Sequence, residues 1–330
     1  MTGTRQVLIW FKKLTPVFFF TVAALKSPDI EAYVASTFSI IIPTKDRHQQ
    51  ILNLLDSIKR LEGLERIHPE IIVGDNGSGD GTWEVLQQIS RDFPVPLRLF
   101  QIAAPGKCKI LNEAIRIANG EILAFLDDDV TVAAGWLAAL DDYFSDTSRL
   151  AAQGTIRIPP EDLKDPEIGR LIQRFRTAHR LEYDKNADDL NTLNGANMAI
   201  RRAVFTKVGD FDLRLGPGAS GTSEDFELSQ RIRRAGIKIG FMPEAVVCHE
   251  VDRARLTEAY FKAWHQRQGI SRLIFKDQSK SRIIFDLCRA SAQYGFYAIS
   301  GVERKRYRSK GRVYHYHAML LAKLGILSPR

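Results

Sequence analysis

Apolar residues recur along this chain in two alternating rhythms. Phe38-Ser39-Ile40-Ile41-Ile42-Pro43 is an almost unbroken hydrophobic run stopped by proline, the pattern of a strand buried on both faces. Ile51, Leu54, Leu55, Ile58 and Leu61 follow at helical spacing, and Ile71-Ile72-Val73 is a second strand. Trp83, Leu86 and Ile89 mark the next helix, with a strand near Leu97-Arg98-Leu99-Phe100. Ile110, Leu111, Ala114, Ile115 and Ala118 mark another helix that Gly120 ends, and Ile122 to Leu126 is a fourth apolar strand. Strand and helix in strict alternation predict an α/β fold, a mostly parallel sheet with helices on both faces.

In such sheets ligands bind at the carboxyl ends of the strands, and the polar residues cluster there. Thr44, Lys45, Asp46 and Arg47 follow the first strand; Asp75-Asn76-Gly77-Ser78-Gly79-Asp80-Gly81-Thr82 follows the second. The fourth delivers Asp127-Asp128-Asp129. Like charges a few Å apart repel by about 4 kcal/mol per pair at an effective dielectric near 20, so this trio calls for water or a divalent cation. Residues i and i+2 of an extended strand are roughly 6.6 Å apart, which predicts that Asp129 touches the metal while Asp127 acts through water or on a ligand. A solvated acidic turn is the alternative. The glycine-rich loop matches neither Gly-x-Gly-x-x-Gly nor a Gly-Lys-Ser/Thr loop, which argues against a dinucleotide dehydrogenase or an ATPase.

Downstream, residues 151–194 are polar and irregular, with Pro159-Pro160 and Pro166 as expected breaks. Gly195 to Ile200 resumes the fold, and Gly216-Pro217-Gly218-Ala219-Ser220-Gly221 has the make-up of a lid. Glu224-Asp225 opens a helix with Leu228, Ile232 and Ala235 as its apolar stripe and Gly236 as its stop; Ala245-Val246-Val247-Cys248 is a strand ending at His249. With Thr222 or Ser223 as cap, a helix N-terminus should keep Asp225 ionised at neutral pH.

Over roughly Phe38 to Glu250 the chain resembles glycosyltransferase family 2, the inverting enzymes of the GT-A fold. The resemblance rests on Ser39 to Thr44 with Asp46 and Arg47, Val73 to Thr82, Gly106-Lys107 with Leu111-Asn112, and Phe125 to Asp129. Gly195 to Met198, Glu224-Asp225 with Arg231, and Pro243 to His249 complete it. By that resemblance Pro43, Thr44, Asp46, Arg47, Asp75 and Asn76 line the nucleotide pocket, Lys107 and Arg231 approach the diphosphate, and Asp127-x-Asp129 with Asp128 binds metal and ribose. His249 completes the metal shell, Asn197 and Glu224 stand on the acceptor side, and Asp225 is the general base. The implied cofactor is Mn²⁺ or Mg²⁺ and the implied donor a nucleotide-diphosphate sugar, UDP first, with dTDP or GDP as alternatives. The implied acceptor is a hydroxyl of a glycan or lipid-linked acceptor in cell-surface polysaccharide or glycolipid synthesis.

Charge adds a third region. Residues 251–330 hold 17 Lys and Arg against 5 Asp and Glu, while residues 1–250 hold 30 against 34, so the whole +8 excess of the chain lies in the tail. Its interleaved aliphatic and aromatic residues, as in Arg282 to Leu287 and Ala318 to Leu324 with Arg304 to Arg308 between, favour an anionic membrane surface over nucleic acid. A helical lid packed on the main domain, with a solvated basic face, is the alternative. The apolar run Leu14 to Leu25 makes a helix of about 18 Å against a bilayer core of roughly 30 Å, too short to span, so an interfacial or docked segment is expected. Three scattered cysteines, Cys108, Cys248 and Cys288, fit a reducing compartment. The expected organisation is an N-terminal segment over 1–36, a GT-A domain over 37–250 (nucleotide half 37–130, acceptor half 131–250) and a basic, mainly helical extension over 251–330. The expected location is the cytoplasmic face of the cell membrane. A sugar-nucleotide pyrophosphorylase would carry its glycine-rich loop after the first strand, where Thr44-Lys45-Asp46-Arg47 stands instead. A catalytically inactive scaffold acting through the basic tail is the reading from a different class.

Overall fold

A computed structural model of the chain describes residues 37–178 and 180–327; the apolar run Leu14 to Leu25 lies outside them. The first half alternates β1 (Phe38–Thr44), α1 (His48–Lys59), α2 (Leu64–Ile67), β2 (Glu70–Asp75), α3 (Thr82–Ile89), β3 (Leu97–Gln101), α4 (Lys107–Ile117) and β4 (Ile122–Leu126). The second adds β5 (Val130–Val132), α5 (Trp136–Ser145), β6 (Ala151–Arg157), α6 (Pro160–Leu163), α7 (Pro166–Phe175), β7 (Asn197–Arg201), α8 (Arg202–Val208), α9 (Glu224–Arg234) and β8 (Gly240–His249). Three long helices close it: α10 (Glu258–Phe275), α11 (Lys280–Ile299) and α12 (Glu303–Lys323).

The strands form one mixed sheet in the order β3-β2-β1-β4-β7-β6-β8-β5. β1, β2, β3 and β4 pair in parallel, as do β6 and β8, while β4–β7, β6–β7 and β5–β8 are antiparallel. The continuous apolar runs are explained by burial on both faces. Ile40, Ile42, Ile71, Val73, Ile122, Ala124 and Leu126 point to one side, with Ile51, Leu54, Leu55, Leu86 and Trp136. Ile41, Ile72, Leu123 and Phe125 point to the other, with Leu111, Ala114, Val204, Leu228 and Ile232. Each strand end is thereby held rigidly at one edge.

Residues 151–194 differ from their expected irregularity. Ala151–Arg157 pairs with both β7 and β8, because its alternate residues are short enough to lie between two strands. Pro160 and Pro166 start helices rather than interrupt them, since proline lacks the N–H that the first helical turn leaves unpaired; Asp165 caps α7 by accepting from Glu167 and Ile168.

The helical extension is fastened to the body by aromatic packing. Phe261 of α10 and Tyr307 of α12 meet Phe175 of α7 at ring separations of 5.7 and 5.6 Å. Where α10 and α12 cross, each supplies a glycine to the other's histidine. A Cβ on Gly269 would lie 2.2 Å from the His315 carbonyl oxygen, and one on Gly311 would lie 2.2 Å from His265 Nε2. Alanine is worth roughly 0.5–1 kcal/mol more than glycine in an ordinary helix interior. Gly269→Ala should reverse that sign and cost about 1–3 kcal/mol in denaturant melts, because a backbone carbonyl cannot move aside. A Gly269→Ala protein as stable as the parent would refute so close a crossing.

Candidate active site

The loops at the carboxyl edge of the sheet surround a cleft of about 490 Å³. Its walls include Pro43, Thr44, Arg47, Asn76, Lys107, Asp127, Asp128, Asp129, Glu224 and Asp225. These come from five separate strand or helix ends, which the double-sided burial of the sheet brings together.

The chain leaves β4 at Leu126 and turns over Asp128 and Asp129 before β5 begins. The extended-strand spacing therefore does not apply to the trio. β5 runs antiparallel to β8 with Val130 opposite His249, so Asp129 arrives beside His249, and Glu250 N–H donates to the Asp129 carbonyl at 3.1 Å. Asp127, Asp129 and His249 each present a ligand atom, all within 4.8 Å of one another. His249 Nδ1 lies 2.9 Å from the Glu250 carbonyl oxygen, which can only accept, so Nδ1 carries a hydrogen. The other nitrogen, Nε2, faces Asp129 Oδ1 at 3.2 Å. Two lone pairs at that distance repel unless a proton or a cation compensates them. Two carboxylates and an imidazole are ordinary ligands of divalent metals, and the residues fit such an ion.

Asp128 turns the other way. It accepts from Thr44 Oγ1 at 2.8 Å and from Lys45 N–H at 3.4 Å, tying the trio to the end of β1. Although part of it stays open to the cleft, withdrawal from water and then the Asp129 charge push its carboxyl up to about 7, against the Thr44 hydrogen bond.

Lys107 starts α4 behind Gly106, whose φ of 139° requires glycine. Its ammonium lies 2.5 Å from Asp127 Oδ1 and 3.6 Å from Glu224 Oε1. Burial alone would lower its pKa, but Asp127 and Glu224 together raise it, so this lysine is a fixed charge. Asp225 begins α9. Its Oδ1 accepts from Phe226 N–H at 2.7 Å and its Oδ2 from Gly195 N–H at 3.2 Å. The expected cap is absent: Ser223 takes φ 78° with no side-chain cap bond. The expectation of an acidic, fully ionised Asp225 is overturned as well. Desolvation and then the adjacent Glu224 charge push it up to about 7, outweighing Lys107 and the two N–H donors.

Four expected residues stand elsewhere. Arg231 grips Glu227 at 2.8 Å and the carbonyls of Gly209 and Asp210, holding α9 to the loop after α8 instead of facing the cleft. Asn197 is buried, its amide donating to Thr155 and Ala245 carbonyls and accepting from Trp136 Nε1, so it joins strands and does not meet an acceptor. Asp46 accepts from Gly79 N–H at 2.8 Å, and Asp75 is fully buried against Ser78 and Gln101, its Oδ2 2.7 Å from Gln101 Nε2. Asn76 reaches the wall, yet its amide is committed to Ile102, Ala104 and Gly106, shaping the turn that presents Lys107. Conversely Arg255, Tyr260, Trp264 and Arg267 line the cleft from beyond residue 250, the expected domain limit. The four-and-three spacing of Tyr260, Trp264 and Arg267 marks one helical face, but within a basic tail it reads as ordinary amphipathicity.

Relatives of this chain are glycosyltransferases and polysaccharide-synthesis proteins. It is 26% identical to glycosyltransferase AglE of Haloferax volcanii, over 64% of this chain and 66% of the relative, and 25% identical to the succinoglycan biosynthesis protein ExoM of Rhizobium meliloti, over 78% and 81%. In structure it is similar to the mannosyltransferase PcManGT from Pyrobaculum calidifontis in complex with GDP-Man and Mn²⁺, with a TM-score of 0.58 at 18% identity, covering 88% of this chain and 87% of that one. That likeness is of the GT-A fold. The sequence signature of glycosyl transferase family 2 matches residues 39–209, more than half of the chain, and the chain belongs to that family.

Proposed function

We propose that the protein is a divalent-metal-dependent, inverting transferase that moves a sugar from a nucleotide-diphosphate donor, UDP first and dTDP or GDP next, to a hydroxyl of a glycan or lipid-linked acceptor. One observation carries this reading: the two carboxylates of a cation-ready triad and a third carboxylate poised to change its proton near neutral pH line a single cleft. The GDP-Man and Mn²⁺ held by the PcManGT neighbour support a metal and a nucleotide sugar here.

In this reading Asp127, Asp129 and His249 hold the metal, which supplies electrophilic stabilisation of the departing diphosphate. Thr44 and Asp128 keep the strand ends in register around the nucleotide, and Lys107 adds a fixed positive charge. Asp225 takes the proton of the attacking hydroxyl as the hydroxyl oxygen bonds to the anomeric carbon, and the nucleoside diphosphate leaves from the opposite side. The two backbone N–H groups, one on each oxygen, hold the Asp225 carboxylate in its orientation.

The surface of α11 supports a location at an anionic membrane. Ile284, Phe285, Phe296 and Ile299 are exposed, Ile299 at 91%, and Asp286 is buried between Arg282 and Arg289 at the flank of that stripe. The hairpin tip continues through exposed Val302 into Arg304 and Lys305. No helix among the described residues is long and apolar enough to cross a membrane.

Chelation of divalent metal, or Asp129→Ala, is expected to lower sugar transfer at least about 100-fold, the worth of several kcal/mol of lost charge stabilisation. Transfer by the chelated protein at its original rate would end the metal assignment. Asp225→Asn should cost about 10²- to 10⁴-fold in kcat and leave nucleoside-diphosphate affinity intact; lost affinity at an unchanged kcat would count against the base. Because the acid form of Asp225 cannot accept a proton and its pKa is pushed up to about 7, kcat should rise with pH through about 7. Glu224→Gln removes the neighbouring like charge and should shift that limb to lower pH. Co-sedimentation of the full chain with phosphatidylglycerol vesicles, absent with phosphatidylcholine and lost in Phe296→Ser/Ile299→Ser, is expected; binding that ignores lipid charge and both substitutions would refute the membrane seat.

A further inference from the structure

The base side of the cleft contains a cation that the transfer chemistry leaves unused. Tyr260, Trp264 and Arg267 point into the cleft from one face of α10. The Arg267 guanidinium lies 5.7 Å from the centre of the Tyr260 ring. Its stem is held by Gly221: a Cβ there would lie 2.6 Å from Arg267 Cδ, and the glycine's φ of 97° suits no other residue. The loop that leads into Thr222, Glu224 and Asp225 thus rests directly on Arg267.

Three of the other cations of the cleft have hydrogen-bond or ion-pair partners. Lys107 pairs with Asp127 and Glu224, Arg255 with Asp129 and Asp252 at 3.4 Å each, and Lys45 donates to the carbonyls of Asn76 and Gly77. Arg47, on the nucleotide side, is near enough to Asp128 to favour its charged form but makes no ion pair with it among the described residues. Among the described residues Arg267 has only a 3.4 Å contact to the Ala263 carbonyl of its own helix and no carboxylate within ion-pair distance. A guanidinium oriented by an aromatic face presents a planar fork that matches a phosphate or a carboxylate bidentately.

We infer that the acceptor carries an anionic group, a phosphate or a carboxylate, which Arg267 binds while Tyr260 and Trp264 stack on the adjoining sugar ring. Its contact with the loop of Asp225, rather than with the strand ends of the nucleotide side, assigns Arg267 to the acceptor. The inference rests on the proposed transfer reaction and names its acceptor class.

The full-length protein, saturated with UDP and Mn²⁺, is titrated with geranyl diphosphate, with glucuronate and with neutral glucose, each probe followed by calorimetry. The first two arms separate a lipid-linked phosphate from an acidic sugar. At least one anion should bind about ten- to hundredfold more tightly than glucose, and Arg267→Gln should erase that preference while Arg267→Lys keeps part of it, with UDP affinity unchanged. Equal binding of anions and glucose overturns the inference, as does an Arg267→Gln protein that loses UDP affinity in step with anion affinity. Repeating the anion titrations without nucleotide reads Arg267 by itself, so a failure of UDP to bind falls on the donor reading alone.

Discussion

The architecture turns on the compensation of negative charge at one edge of a sheet. Asp127, Asp128, Asp129, Glu224 and Asp225 are gathered around a single cleft by strands that cannot shift, because both faces of β1 and β4 are packed. Left alone, five carboxylates at such distances would oppose folding by several kcal/mol. The chain answers each locally, with Lys107 between Asp127 and Glu224, Arg255 on Asp129, Thr44 on Asp128, and backbone N–H groups on Asp225. What the protein does not neutralise is available to ligands. Withdrawal from water, and then the same proximity that burdens stability, pushes the Asp128 and Asp225 carboxyls up to about 7, the range in which a carboxyl exchanges its proton at physiological pH.

Much of this was legible in the sequence because buried parallel strands are simple to read. Ile40 to Ile42, Ile71 to Val73 and Ile122 to Leu126 are hydrophobic on every residue, and each is followed at once by polar residues that reach the cleft or its rim. Position along the chain was a poorer guide to direction. Asp46, Asp75, Asn197 and Arg231 stand in family-like motifs, yet their side chains turn into loop and strand hydrogen bonds that no one-dimensional pattern encodes. The ionisation of Asp225 illustrates a different limit. A helix N-terminus contributes typically 0.3–1 kcal/mol to an anion, less than one pKa unit, and is outweighed by withdrawal from water and then by Glu224, the first of which depends on the tertiary packing around Asp225.

The convergence of Asp127 and Asp129 shows how a local rule can fail when its premise does. Their separation along an extended strand would keep them apart, but β4 ends one residue earlier, and the three-residue β5 needs a turn in order to pair with β8. The turn folds the second carboxylate back toward the first and sets both against His249. A register, Val130 opposite His249, therefore decides the chemistry of a site 120 residues apart in sequence, and registers are what periodicity alone does not give.

The helices after β8 combine packing on the main domain with a share in the cleft. On α10, Phe261, His265 and Gly269 recur every four residues and face α7 and α12, where the paired Gly269–His315 and Gly311–His265 contacts leave no room to slide. One residue earlier in each turn, Tyr260 and Trp264 face the cleft, and Arg267 completes that face. The side that locks the helix and the side that lines the cleft are thus parts of one repeat, so neither can drift without the other. A lid packed on the main domain accounts for that interlock, whereas a membrane anchor alone would need no aromatic residues aimed at the cleft. The lining of the cleft thus runs past residue 250 as far as Arg267, while the exposed apolar residues lie on α11.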